Sequence, residues 1–473
     1  MNKEKLEWFE THIKEYLNTT IYDPDSLIVY LPEEKWFKVN PTRGIRQGKG
    51  CYDLTKYGNS IVASILKNAY GEFEYNRNTV DNKAYRFARR TVACGGSLYP
   101  NNIYVVVSKN GEVRTYQYNP ALNLLHFLDS TTEDKNHLED NCCYFVMTNY
   151  YWRNWLKYRY FGYRLMLVDT GYALANLCMV LSQHEMFYDI EISSKLFGTM
   201  SSVLGIDTKY ESLCGVVSTK NEAILNSFDK LKDEKIEYQL FEDWDTVPIN
   251  LYDVLEKKVE NEQFHVHKTI DKLISECQLP YHKQNRVSPG GGAMITQRVM
   301  DGTNFKKSID MLNSLQHEFK EFTEDIKIYV YINKMSDMET GLYTLEKGNM
   351  LKSERMPEHP EQLMNHMLRK KNFNLQATPV LFFIGTDVNK MIETYGVSGF
   401  KIAQIKTGFV SQLLTYSGCV HDCWTHPILG FDVEIAEQLV GAEEGMNMLN
   451  LVTFSDRKSF DRFASEFKVK ELA

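Results

Sequence analysis

Three short segments carry the residue types a reactive site needs. Residues 149–164 read NYYWRNWLKYRYFGYR, with Lys157 and Tyr158 adjacent among aromatic rings. An ammonium can steady charge that develops on an electron-rich ring, and a phenol can relay a proton. A lysine serves as a base only where burial lowers its pKa towards neutrality. Tyr150, Tyr151, Trp152 and Trp155 could supply that dry setting. They could equally be ordinary core, with Lys157 at the surface beside a packed tyrosine. Residues 89–107 read RRTVACGGSLYPNNIYVVV. Gly95 and Gly96 lack Cβ, so the backbone there can press on a flat ligand and offer its N–H groups. The same pair also suits a tight turn entering a strand. In DTGYALANL, residues 169–177, Gly171 permits close approach, and Asn176 puts an amide on an apolar face. A buried amide must be hydrogen-bonded, either to a ligand edge or to backbone.

These segments need a frame. Residues 103–108 and 113–118 read as a hairpin, 143–148 and 212–218 as strands, 57–70 as a helix and 160–184 as a long buried helix. The second half offers a helix near 306–320 and strands near 327–333, 340–345, 378–384 and 448–454. Its buried helix falls near 399–418. Helices alternating with hairpins give an α+β class.

The halves resemble each other. YRYFGYRLMLVDTGYALANLCMVL, from Tyr158, aligns without a gap to YGVSGFKIAQIKTGFVSQLLTYSG, from Tyr395, at an offset of 237 (395 − 158). Gly162 then meets Gly399, Arg164 meets Lys401, and Gly171 meets Gly408. Upstream, IYVVVSKNGEVRTYQYN from Ile103 resembles IYVYINKMSDMETGLYT from Ile328. Two matches in the same order argue for duplication. Loose or charged spacers fall at 31–50, 251–273 and 285–297, and the last two suggest domains at 1–245 and 291–473 joined by a linker at 246–290.

Composition narrows the function classes. The 473 residues include 54 Lys and Arg against 62 Asp and Glu, a net charge of −8, with 43% apolar residues. That is a globular average, and it argues against a general nucleic-acid binder, whose surface is basic. The most apolar stretch, 160–181, carries Arg164 and Asp169, which a lipid-facing helix tolerates poorly. The first residues lack the apolar run of a signal peptide. Nine scattered Cys with no zinc-type CxxC pairing read as reduced thiols, so a cytoplasmic protein without a metal site is expected.

The ordered set resembles the SagB-type dehydrogenases, a branch of the FMN-dependent nitroreductase superfamily. Ala93-Cys94-Gly95-Gly96-Ser97-Leu98-Tyr99-Pro100 stands at the family's Pro-Ser-Ala-Gly-Gly-Leu-Tyr-Pro element, and Lys157-Tyr158 at its Lys-Tyr pair. Phe161-Gly162-Tyr163-Arg164 and the segment 169–177 stand at its Arg-Gly-Tyr-Arg and Glu-x-Gly-His-x-x-Gln-Asn-Leu elements. The likeness covers about 40–225, and more faintly 295–470. The family serine is Cys94 here, the histidine Tyr172 and the glutamine Ala175. The second half keeps Gln412 but has Thr394 for the lysine.

The resemblance implies two tandem nitroreductase-like domains forming an intramolecular pseudo-dimer, with FMN where they meet. It implies Lys157 and Tyr158 as catalytic, and Cys94, Gly95, Gly96, Ser97, Leu98, Asn176 and Gln412 as cofactor-binding. Superfamily members hold the FMN phosphate with basic residues near the start of the fold. Arg43, Arg46 and Arg298 occupy comparable places and present forks that suit a phosphate, though each could be a solvated surface arginine. Lys220 is a weaker candidate. The implied activity is oxidation of thiazolines or oxazolines to thiazoles or oxazoles in a ribosomally made peptide, with oxygen reoxidising the flavin. Implied partners are the modified precursor peptide and a cyclodehydratase complex, with room for a further homodimer. The same fold also hosts nitroreductases and enoyl-type reductases using NAD(P)H, and a degenerate homologue could bind peptide alone.

Overall fold

The computed structural model describes residues 3–27, 44–58, 60–78, 84–132, 138–192, 195–232, 267–270, 299–346, 348–370, 373–456 and 463–467. Its first half runs α1 (Lys3–Tyr22), β1 (Gly50–Asp53), α2 (Ile61–Tyr70), β2 (Glu72–Asn78), β3 (Ala84–Arg90), β4 (Asn101–Lys109), β5 (Glu112–Asn119), β6 (Leu124–Thr131) and β7 (Cys142–Tyr150). Then follow α3 (Tyr151–Tyr158), α4 (Gly162–Gln183), β8 (Tyr188–Glu191), α5 (Lys195–Leu204), β9 (Glu211–Thr219), α6 (Glu222–Phe228) and β10 (His267–Ile270). The second half runs α7 (Gly302–Glu318), α8 (Lys320–Thr323), β11 (Lys327–Ile332), β12 (Gly341–Glu346), β13 (Asn349–Lys352), α9 (Pro360–Met367) and β14 (Val380–Thr386). It continues with α10 (Val388–Tyr395), α11 (Ser398–Val420), β15 (Cys423–Ile428), α12 (Val433–Val440), β16 (Asn447–Asp456) and β17 (Phe463–Phe467).

Each half is built on one antiparallel sheet. The first has the order β1-β6-β5-β4-β7-β9-β8-β10 and the second β13-β12-β11-β14-β16-β15. Ile103–Val107, four β-branched residues and a tyrosine, favours a strand, and β4 lies in the interior of the first sheet. Strand β10 lies inside the expected linker, yet pairs with β8 at the edge of the first sheet. The expected hairpins, central strands and long helices are all present. The structure adds β1, β2, β3, β6, β8, β10, β13, β15 and β17, which lie outside the expected strands.

The helices α4 and α11 are buried over nearly their whole length, which their all-round apolar sequences allow. They cross at Gly171 and Gly408. A Cβ on Gly171 would overlap the Ile405 carbonyl oxygen, and a Cβ on Gly408 would overlap the Val168 carbonyl oxygen. The offset of 237 residues exchanges Gly171 with Gly408 and Val168 with Ile405, so the contact is reciprocal, as in an isologous dimer interface. The same reciprocity continues outward. Tyr163 stacks on Phe400 at 6.4 Å with the planes 13° apart. Arg164 donates to the Leu449 carbonyl on β16 at 2.8 Å, and Lys401 donates to the Leu213 carbonyl on β9, also at 2.8 Å. Arg164 also donates to the Thr20 carbonyl at 2.9 Å, and burial pushes its pKa below the usual arginine range. Two buried cations thus cross the seam in opposite directions, each satisfied by carbonyl oxygens.

The arms of the chain are exchanged. Tyr22, ending α1, accepts from Asn447 Nδ2 at 2.6 Å, and Arg369 donates to the Tyr22 carbonyl at 2.9 Å. Strand β17 crosses the other way and pairs with β2, forming a small sheet of order β17-β2-β3.

Candidate active site

Strand β7 feeds directly into α3, and α3 ends at Lys157 and Tyr158. Trp152 and Trp155 bury the inner face of this short helix. Its last two residues stay half-buried at the end of the turn. The chain then reverses through Arg159, at φ 48° and ψ −132°, a conformation that L-residues rarely hold.

The loop Cys94–Tyr99 approaches from the other side. Gly96 lies at φ 65°, Ser97 at 57° and Tyr99 at 49°, so three of these six residues are left-handed. The Lys157 ammonium stands 2.7 Å from where a Gly96 Cβ would be, and the Tyr158 hydroxyl is closer still. A side chain at position 96 would sit on left-handed backbone and would push the Lys157 ammonium and the Tyr158 hydroxyl aside. Lys157 Nζ is also 5.1 Å from the centre of the Tyr158 ring. The glycine loop and the Lys-Tyr pair, 61 residues apart (157 − 96), therefore form one cluster.

Beneath the loop lies Asp169 of α4, 2% exposed. Its Oδ1 accepts the Gly95 N–H at 3.0 Å, and its Oδ2 accepts the Cys94 thiol at 3.1 Å. Cys94 Sγ in turn accepts the Tyr99 N–H at 2.9 Å. Burial raises the Asp169 pKa to about 7, although both hydrogen bonds favour the carboxylate. Burial and the neighbouring Asp169 push the Cys94 thiol well above its usual range. Three residues on, the Tyr172 hydroxyl accepts from Asn450 Nδ2 of the second half at 2.7 Å.

Two buried arginines that sequence reasoning missed fix the far end of the loop. Arg90 lies 4.6 Å and 4.4 Å from the ring centres of Tyr70 and Tyr99, with Glu72 at 3.5 Å. Arg153 donates to the Tyr99 carbonyl at 2.7 Å. Their signal was present in RRTVACGG and NYYWRNW, where charged residues are embedded in apolar surroundings.

Leu98 is buried within the loop. Asn176 donates to the Ala69 carbonyl at 2.5 Å and to Thr91 Oγ1 at 3.0 Å, tying α2 to the strand that precedes the loop. Arg46 donates to the Leu204 carbonyl at the end of α5, and its backbone N–H bonds Gln117 Oε1 at 2.8 Å. It borders Tyr104 and Glu211, on the sheet face opposite α4. Gln412 is 2% exposed on α11, and its Oε1 has no partner among the described residues. Lys220 makes an exposed pair with Glu139 at 2.6 Å. Arg43 and Arg298 lie outside the described residues.

An ammonium and a phenol converging on a bare Cα suit the polar edge of an electron-rich ring that gains negative charge. That donor set fits the ring end of an FMN. At the phosphate end, Arg46 is engaged on the far face of the sheet.

The architecture is that of the nitroreductases. A chain from Anabaena variabilis described as a nitroreductase has the same fold, with a TM-score of 0.70 and 15% identity, covering 94% of this chain and 99% of that one. A Ralstonia eutropha nitroreductase overlaps 40% of this chain and 88% of its own, at 10% identity and a TM-score of 0.31. The Escherichia coli microcin synthetase McbBCD complex with truncated pro-MccB17 bound overlaps 41% of this chain and 74% of its own, at 18% identity and a TM-score of 0.28. No protein-family model and no curated protein sequence matches the chain.

Proposed function

We propose that the chain is an FMN-dependent oxidoreductase of the SagB type. In this reading it oxidises thiazoline or oxazoline rings to thiazoles or oxazoles in a ribosomally made peptide, in the cytoplasm and beside a cyclodehydratase. The observation that carries the reading is the convergence of Lys157 Nζ and Tyr158 Oη on Gly96. The two halves, 1–245 and 291–473, are read as copies of one duplicated domain, of which the first kept the reactive pair.

FMN, when bound, supplies the two-electron acceptor. The chain's own residues do the rest. The loop Gly95–Ser97 and the Lys157–Tyr158 pair hold the polar edge of the ring. A proton leaving the azoline carbon is taken at Lys157 Nζ as the neutral amine, directly or relayed through Tyr158 Oη, and the ammonium so formed steadies the charge that builds up. The buried rings of Tyr151, Trp152 and Trp155 exclude water behind the pair.

The test has two parts. Protein reconstituted with FMN is expected to show a bound-flavin absorption spectrum and to aromatise an azoline-containing peptide. Lys157→Ala is expected to keep the flavin and lose turnover. Colourless protein at full FMN supply overturns the cofactor, and unchanged turnover in the variant overturns the role of Lys157. Flavin bleaching by NAD(P)H without azoline turnover would assign a reductase instead.

A further inference from the structure

Left-handed backbone at non-glycine residues persists only where the surroundings over-determine it. Ser97 and Tyr99 are such residues, and what constrains them can be traced. Asp169 binds both the Cys94 thiol and the Gly95 N–H, at 3.1 Å and 3.0 Å. The same sulfur accepts the Tyr99 N–H at 2.9 Å. A carboxylate–thiol–amide chain therefore runs under the loop and joins its two ends. Leu165, one helical turn before Asp169, would lie 3.3 Å from a Cβ on Gly95 and closes the floor. The helix that carries both residues is itself fixed at the seam, where Val168 faces Gly408 and Tyr172 bonds Asn450.

We propose that Asp169 is a positioning residue: acting through Cys94 and the Gly95 amide, it holds the Cys94–Tyr99 loop and so sets where Gly96 meets Lys157 and Tyr158. Its link to flavin chemistry rests on the function proposed above, but its effect on the loop does not. The arrangement couples the seam between the halves to the loop through one side chain. It also defines what position 94 requires, namely a group that donates to a carboxylate and accepts from an amide. A thiol and a hydroxyl do both, and a methyl does neither.

The experiment uses the full chain in four forms: wild type, Asp169→Asn, Cys94→Ser and Cys94→Ala. An asparagine can keep one of the two bonds but must turn a donor towards the other. The Cys94 thiol is titrated with a maleimide under native conditions, with Cys94→Ala as the blank for the other cysteines. Asp169→Asn is expected to raise the labelling rate at Cys94 about tenfold or more, the scale of losing one hydrogen bond to a charged group. FMN affinity is expected to fall about tenfold in Asp169→Asn and Cys94→Ala, and to stay near wild type in Cys94→Ser. Unchanged labelling in a folded Asp169→Asn protein overturns the proposal, as does equal FMN affinity in the Ser and Ala variants. Should wild type take up no FMN, the proposed function falls, while the labelling rates still decide the role of Asp169. Should Asp169→Asn fail to fold, Cys94→Ser against Cys94→Ala in the FMN titration decides it.

Discussion

Arg159 and Gly396 occupy the same place in the two halves, one residue past the end of α3 and of α10. Both hold nearly the same backbone, φ 48° and ψ −132° against φ 61° and ψ −147°. Glycine takes that conformation at no steric cost, whereas an arginine pays for it. The half that pays is the one with Lys157 and Tyr158 just before the turn. In the other half Thr394 replaces the lysine and bonds its own helix at the Lys390 carbonyl, 2.8 Å away. Asp169 has a similar contrast. Its counterpart at the same offset is Lys406, which pairs with Asp325 at 2.8 Å. The halves agree at the seam and diverge at the cluster, so what they share is what packs them together, and what differs is the candidate chemistry.

The seam gives the largest expected effect. Gly171→Ala and Gly408→Ala should each destabilise by about 3 kcal/mol or more, since the new methyl meets backbone that cannot move aside. Equal losses in denaturant unfolding support reciprocity, and tolerance of one variant would break it. Next comes the reactive pair. Lys157→Ala should lower azoline turnover at least ~100-fold while Thr394→Ala leaves it unchanged, as measured by product formation per bound flavin. An equal effect in both would erase the functional asymmetry.

Asp169 against Lys406 gives an effect of pH. The Asp169 pKa rises from 3.8 to about 7 on folding, so the folded state binds the extra proton between those values. Its contribution to stability is therefore highest below about pH 4, falls as pH rises through that window and is lowest above 7. Asp169→Asn should flatten this part of the unfolding profile, a difference of roughly 2–4 kcal/mol between pH 4 and 8. Lys406→Met should leave the slope in that window in place. The smallest effect belongs to the turn itself. Arg159→Gly should stabilise by about 1 kcal/mol, and Gly396→Ala should destabilise by at least as much, read from thermal unfolding.

Much of the frame was legible from periodicity. Strands such as Ile103–Val107 and the two long apolar helices announce themselves, and the offset of 237 residues pairs Gly171 with Gly408 before any coordinates exist. That these two glycines touch one another was not legible, because a glycine in a helix signals close approach without naming the partner. The Lys-Tyr pair and the Gly-Gly loop were identifiable as candidates, but their meeting is a contact between residues far apart in the chain, which no local propensity predicts. Asp169 was read as part of a motif and as a charge within an apolar stretch, since its role comes from what lies above it in space. Asn176 illustrates the opposite problem. An amide on an apolar face was compatible with ligand or backbone, and the choice is set by where α2 ends.

The pairing of β17 with β2 bears on synthesis as well as on shape. Residues 72–78 leave the ribosome nearly four hundred residues before the strand Phe463–Phe467 that completes their sheet. At ~5–20 residues per second, β2 and β3 wait tens of seconds as a two-stranded ribbon, with the edge of β2 that β17 will cover still open. The first-half sheet can assemble during translation, but the small sheet beside it closes only after the second half has emerged.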